Sequence, residues 1–319
     1  VKSRRKNPIL FQGIKKNDHY FEGWYYKLVS TDELTTIAII PGISLYEDDT
    51  HAFIQIFISS KNPTDKLQTE YIRFSYDDFS FQDDPFFIKI GENSFSITEV
   101  NLNIHTSKFS LNGTLHIEQI TPLKTSLYAP NIMGPFSYLP KMECSHGIVS
   151  MSHFVNGFLY FNENPINFDQ SKGYIEKDWG TSFPKEYVWM QSNHFQNLNT
   201  SFMFSYATIP FMSRSFNGLI VVLYHNQKEY RFSTYQLAKI QKEILTENEA
   251  YYEIKQGKYR LEVQAKTDKG ILLPAPIDGQ MKHAIKEGLS GIISIKLYSR
   301  DELILSDIGN HAGIEIMKK

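Results

Sequence analysis

The sequence predicts an all-β protein, mainly antiparallel. Three features carry that expectation. Short segments rich in aromatic and β-branched residues recur along the whole chain, clusters of Gly, Asn, Asp and Pro separate them, and no helical periods intervene as βαβ units would require. Aromatic residues make up 14% of the chain, with 23 Phe, 19 Tyr and 3 Trp. Strands favour such side chains, and a site for a large apolar ligand would use the remainder.

Taken in order, residues 20 to 29, 35 to 40 and 51 to 59 read as the first strands, with polar turns at Ser30-Thr31-Asp32-Glu33 and Tyr46-Glu47-Asp48-Asp49. Glu22, Trp24, Tyr26 and Leu28 fall on one face of the first, which sets an acid in an apolar row. Short aromatic strands follow at residues 72 to 76 and 86 to 90, then a meander through 95 to 97, 102 to 105 and 111 to 120. Asn112-Gly113 reads either as a tight turn or as a bulge inside a strand. Residues 121 to 142 carry Pro122, Pro130, Pro135 and Pro140, so they are expected to form a long ordered connector. A strand pair over 147 to 154 and 157 to 161 is expected to join near Asn156-Gly157, and Asn162-Glu163-Asn164-Pro165 to separate two domains, 1–165 and 166–319.

The second half continues with strands at 202 to 209, 218 to 225 and 229 to 235. Residues 230 to 242 fit strand alternation, although Leu237, Ile240 and Ile244 also follow helical spacing. A hairpin is expected across Gln256-Gly257-Lys258, an irregular stretch over 272 to 287 with one short helix at 280 to 286, and closing strands at 292 to 298 and 312 to 316.

Composition narrows the function classes. A net charge of −2 with mixed signs offers no basic field for nucleic acid, and the Lys2-Ser3-Arg4-Arg5-Lys6 run reads as a frayed terminus. One cysteine, Cys144, rules out an intramolecular disulfide framework and suits a reducing, cytoplasmic setting. There is no apolar run long enough to span a bilayer, no dinucleotide or phosphate-loop fingerprint and no Gly-x-Ser-x-Gly elbow. His146, His153 and His194 lack the tight spacing of a helical zinc site, so neither a metal nor a cofactor is expected.

The stretch from Gly173 to Phe195 concentrates the remaining chemistry. Alternation puts Tyr174, Glu176 and Asp178 on one face of a strand, and Trp189, Gln191 and Asn193 on one face of the next. Either these faces look into a cavity, with acids among rings and amides, or Glu176-Lys177-Asp178 is a solvated strand end.

The segment Glu176-Lys177-Asp178-Trp179-Gly180-Thr181-Ser182-Phe183-Pro184, followed by Trp189-Met190-Gln191-Ser192-Asn193, resembles the signature of the tocopherol cyclase family. Phe21-Glu22-Gly23-Trp24-Tyr25-Tyr26, Met133-Gly134-Pro135, Glu143 to Met151 and His311-Ala312-Gly313-Ile314-Glu315 match it in the same order. The chain departs from the family at Tyr187-Val188-Trp189, where relatives carry an aromatic pair, so substrate size is not carried over. The resemblance implies two lipocalin-like β-barrel or sandwich domains packed side by side, related to carotenoid hydratases.

It also implies a cofactor-independent, isomerase-type enzyme that cyclises or hydrates a prenylated phenol or isoprenoid double bond. That chemistry needs a carboxylic acid kept protonated by apolar surroundings and aromatic faces that stabilise a carbocation. Asp178 is the expected proton donor, with Glu176 and Glu22 as competing candidates, and His146 or His194 as proton acceptor. Trp24, Tyr25, Trp179 and Trp189 are expected to wall the pocket, and Gln191 and Asn193 to orient the phenol. The partner is then a hydrophobic small molecule, collected through peripheral contact with a membrane. The alternative is a lipocalin-like carrier that holds such a ligand without turning it over.

Overall fold

The computed structural model describes residues 3–61, 68–139, 142–211, 214–267 and 270–318. The fold is all-β and antiparallel, with short 3-10 turns as its helical elements among the described residues. Two compact units form. One comprises Val1–Ile132, Cys144–Phe183 and Pro274–His283, the other Met133–Glu143, Pro184–Leu273 and Ala284–Lys319. The boundary differs from that expected at 165/166. Asn162-Glu163 is a hairpin turn within the first sheet, joining Cys144–Phe161 to Asn164–Asn167, and both residues adopt positive φ.

The twelve-stranded sheet of the first unit consists of two meanders, over residues 20–74 and 79–167, joined by the strand Ser171–Gly180. Tyr20–Val29 pairs on one side with Thr35–Leu45 and on the other with Ser171–Gly180, which in turn pairs with Cys144–Phe161. The strand that bears the central motif therefore closes the first sheet and is not the start of the second. Its inner face and that of its neighbours build a core of Trp24, Tyr26, Leu28, Ile37, Ile39, Ile54, Ile56, Leu115 and Ile175.

Cys144–Phe161 is one long strand, and Asn156-Gly157 is no turn. Gly157 sits at φ +123, and a Cβ there would lie 2.5 Å from the Thr114 carbonyl oxygen of the neighbouring strand. Only glycine lets the two backbones approach so closely. Asn112-Gly113 likewise lies inside the Ser110–Glu118 strand.

The second sheet has eleven strands and runs from Lys228–Ser233 through Tyr187–Ser192 and Glu302–Met317 to Lys239–Leu245. Val188, Met190, Phe202, Phe204, Val221, Tyr252, Val263, Ile295 and Ile314 form its core. Two expectations need correction here. Residues 230 to 242 are two strands split by a 3-10 turn at Thr234–Gln236, after which Leu237 takes a left-handed conformation. The stretch expected to be irregular, with a short helix, is a β-hairpin. Ile271–Ile277 pairs with Gln280–Ser299, and Asp278 and Gly279 make the turn with both φ positive, at 53 and 85.

The proline-rich connector divides between the units at Ile132 and Met133. Its second part carries the Gly134–Tyr138 3-10 turn, with Phe136 stacked on Phe216; Pro140 lies outside the described residues. The basic N-terminal run is tied down over residues 4 to 6. Arg4 is paired with Asp83, and the Asn131 side chain donates to the Arg5 carbonyl.

Candidate acid–base site

Two motifs roughly 150 residues apart in sequence meet in register on the first sheet. Glu22 lies opposite Trp179, Gly23 opposite Asp178, Trp24 opposite Lys177 and Tyr25 opposite Glu176. On the other side of the central strand, His146 lies opposite Asp178 and Ile148 opposite Glu176. Because directly paired residues share a face and successive residues alternate, this register sorts the motif into two clusters.

The core-facing cluster is Glu22, Trp24, Lys177 and Trp179. Lys177 is fully buried, paired with the Glu22 carboxylate and donating to the Leu10 carbonyl. Its ammonium lies 4.5 Å from the Trp24 ring centroid and 5.2 Å from that of Trp179. Burial pulls the Lys177 amine down to about 8, against the opposing pull of Glu22. Glu22 also accepts from the Gln12 N–H at 2.8 Å, the Gly13 N–H at 2.9 Å and the Tyr20 hydroxyl at 2.5 Å. Trp24 Nε1 donates to the Ile9 carbonyl at 2.7 Å. These bonds clip the segment around Leu10 and Phe11 over the core. The structure thus places Glu22 on the opposite face of the sheet from Glu176 and Asp178, with donors all around it. The cation held between Trp24 and Trp179 is a lysine of the protein.

The opposite face carries Tyr174, Glu176, Asp178 and His146, with Tyr25 beside Glu176. His146 Nδ1 is 2.8 Å from Asp178 Oδ1, and Nε2 is 3.5 Å from Glu176 Oε2. A carboxylate only accepts, so Nδ1 carries the hydrogen. Tyr174, fully buried, donates its hydroxyl to Glu176 Oε2. Side-chain exposure falls from 23% at Asp178 through 11% at His146 to 5% at Glu176, so the cluster has one wet end and one dry end. Burial disfavours charge on His146, but the Asp178 and Glu176 carboxylates outweigh it and hold the imidazole up at about 9. Burial, reinforced by Glu176, drives the Tyr174 phenol well above its ordinary value.

The remaining expected site residues belong to the second unit. Trp189 and Gln191 point away from the core that Val188 and Met190 enter, and both are buried. Asn193 lies just past the end of the Tyr187–Ser192 strand, where alternation no longer fixes its side; its Oδ1 is 2.8 Å from His194 Nδ1. The His194 and His311 rings meet edge to face at 5.4 Å. Tyr187 donates to Glu315, a pairing that sequence reasoning did not single out. Alternation had already set Tyr174 on the face of Glu176 and Asp178 without giving it a partner, whereas the Lys177–Glu22 pair was not anticipated. The signal for Lys177 was present, since the middle residue of an alternating Glu-Lys-Asp must face the other way. Among the described residues, the one His/Cys/Asp/Glu group whose ligand atoms converge is His146, Glu176 and Asp178, all within 4.8 Å of one another. A cation at this site was not expected from sequence spacing, because the three residues come together only through strand pairing.

The family model for tocopherol cyclase-like proteins matches residues 120–317, more than half of the chain. The chain belongs to the tocopherol cyclase-like family. The matched span contains His146, Glu176 and Asp178, while the Glu22-Gly23-Trp24-Tyr25 motif lies outside it and joins it by strand pairing. A search of curated proteins finds no sequence match.

Among solved structures, this tocopherol cyclase-like chain is similar to CghA with Sch210972, at TM-score 0.62 and 8% identity, covering 93% of this chain and 88% of that one. It is also similar to kievitone hydratase from Nectria haematococca, at TM-score 0.53 and 9% identity, covering 97% and 93%. A putative AttH from Nitrosomonas europaea gives TM-score 0.52 at 12% identity, covering 93% of each. At these identities the likeness is one of fold, in keeping with the antiparallel all-β architecture of two large sheets.

Proposed function

We propose that this chain is a cyclase- or hydratase-type enzyme that adds an O–H group across a prenyl or other isoprenoid double bond of a hydrophobic substrate. The observation that carries the reading is the His146 imidazole held between Asp178 and Glu176 on a buried sheet face. Membership of the tocopherol cyclase-like family supports it, as does the printed name of one structural neighbour, kievitone hydratase.

The chemistry needs a proton given and a proton taken back. The Asp178–His146 pair delivers a proton to one alkene carbon, whose π electrons form the new C–H bond and leave a tertiary cation at the other carbon. A phenol or water oxygen attacks that cation to form the C–O bond. Its O–H proton passes to Glu176 and back to the imidazole, so the cluster ends as it began. Tyr174 steadies Glu176 through its hydroxyl. Tyr25, opposite Glu176, and Phe21, packed edge to face on Phe183, supply aromatic faces for the cation. The proposal draws only on residues of the first unit.

The test is incubation with a prenylated hydroquinone in deuterated water. One non-exchangeable deuterium in the product, absent with Asp178→Asn and His146→Gln, supports the enzyme. Tight binding with no turnover would leave a carrier in its place.

A further inference from the structure

We propose that His146 and Glu176 form a binding site for a divalent transition-metal cation, with Asp178 positioning the imidazole. This goes beyond the acid–base reading and does not depend on it. It starts from an unused atom. The His146 side chain is 11% exposed, and its Nε2 is buried without a hydrogen-bond partner. That nitrogen is aimed at Glu176 Oε2, 3.5 Å away, too far for a good hydrogen bond. Yet the gap matches what one cation would set. With nitrogen and oxygen ligands each at about 2.1 Å and a tetrahedral angle between them, the two donor atoms stand about 3.4 Å apart.

The surroundings complete the arrangement. Asp178 Oδ1, 2.8 Å from Nδ1, fixes a hydrogen there and aims Nε2 at Glu176, so a cation binding at Nε2 displaces the proton that nitrogen carries. Carboxylate-to-histidine bonds of this kind orient metal-binding imidazoles and raise their basicity. The Tyr174 hydroxyl donates to that same Glu176 oxygen, Oε2, and fixes its position opposite Nε2, leaving its remaining lone pair for a cation. One imidazole and one carboxylate favour zinc-like cations over magnesium or calcium, which prefer all-oxygen shells. Two protein ligands leave coordination positions open to water or to a substrate oxygen. Because a cation and a proton cannot share Nε2, occupancy by metal would block proton return through the imidazole.

The experiment is isothermal titration of the metal-stripped full chain with ZnCl2, and with MgCl2 in parallel, together with visible spectra after Co(II) addition. The expected result is one zinc per chain, no magnesium binding, and a Co(II) spectrum of low coordination number. His146→Gln should abolish both signals, and Asp178→Asn should weaken zinc by about 10- to 100-fold. Near-ultraviolet circular dichroism verifies that each variant is folded, and Glu176→Gln supplies an independent ligand deletion. Absence of stoichiometric zinc binding overturns the proposal. So does binding that survives His146→Gln and is lost in His19→Ala, since His19 with Asp278 would then be the zinc ligand. Neither outcome depends on turnover, so a failure here is separable from failure of the proposed reaction.

Discussion

His153 offers the sharpest test of how the first unit is built. The imidazole is 3% exposed, with Ser150 Oγ 3.1 Å from Nδ1 and no hydrogen-bond partner at Nε2. Burial pushes it down from 6.5 to about 3. The native state therefore holds this histidine neutral across a range in which the unfolded chain protonates it. Between those two values the unfolded state binds more protons, so stability is complete above about pH 6.5 and is lost as pH falls. At about 1.4 kcal/mol per unit, going from pH 7 to pH 4 costs roughly 3 kcal/mol from this residue alone. Urea unfolding of wild type and His153→Gln at several pH values isolates it, because all other titrating groups are common to both. The wild type should lose about 3 kcal/mol more than the variant by pH 4. NMR titration of the His153 ring should show it neutral down to pH 4. Parallel pH dependences, or a ring that titrates near 6.5 in the folded protein, would refute the reasoning.

The buried Lys177–Glu22 pair predicts a non-additive cycle. Lys177→Met alone should destabilise by about 3–5 kcal/mol by leaving a buried carboxylate unpaired, and adding Glu22→Gln should recover part of that loss; additive losses in chemical denaturation would contradict the pairing. Gly157→Val adds a Cβ 2.5 Å from a backbone oxygen at φ +123, so it should lower the melting temperature sharply, whereas Tyr160→Phe, at an exposed position of the same strand, should not. Equal melting temperatures for the two variants would remove the close-approach argument.

What the sequence determined by itself was alternation. From it came the all-β class, most strands of the first half, the shared face of Tyr174, Glu176 and Asp178, and the core row of Trp24, Tyr26 and Leu28. These follow from local geometry, because a strand's neighbours in sequence fix which way each side chain points. The family motifs were legible in the same way, as strings.

Only the tertiary structure decided which strand lies beside which, and in what register. The Ser171–Gly180 strand inserts between Tyr20–Val29 and Cys144–Phe161, and a register set over such sequence distances leaves no trace in any local window. That pairing put His146 against Asp178, sent Glu22 to the opposite face to meet Lys177, and brought three potential ligands together without a spacing motif. It also moved the unit boundary from the Asn162–Pro165 turn to Phe183, because the central strand's backbone hydrogen bonds are satisfied within the first sheet.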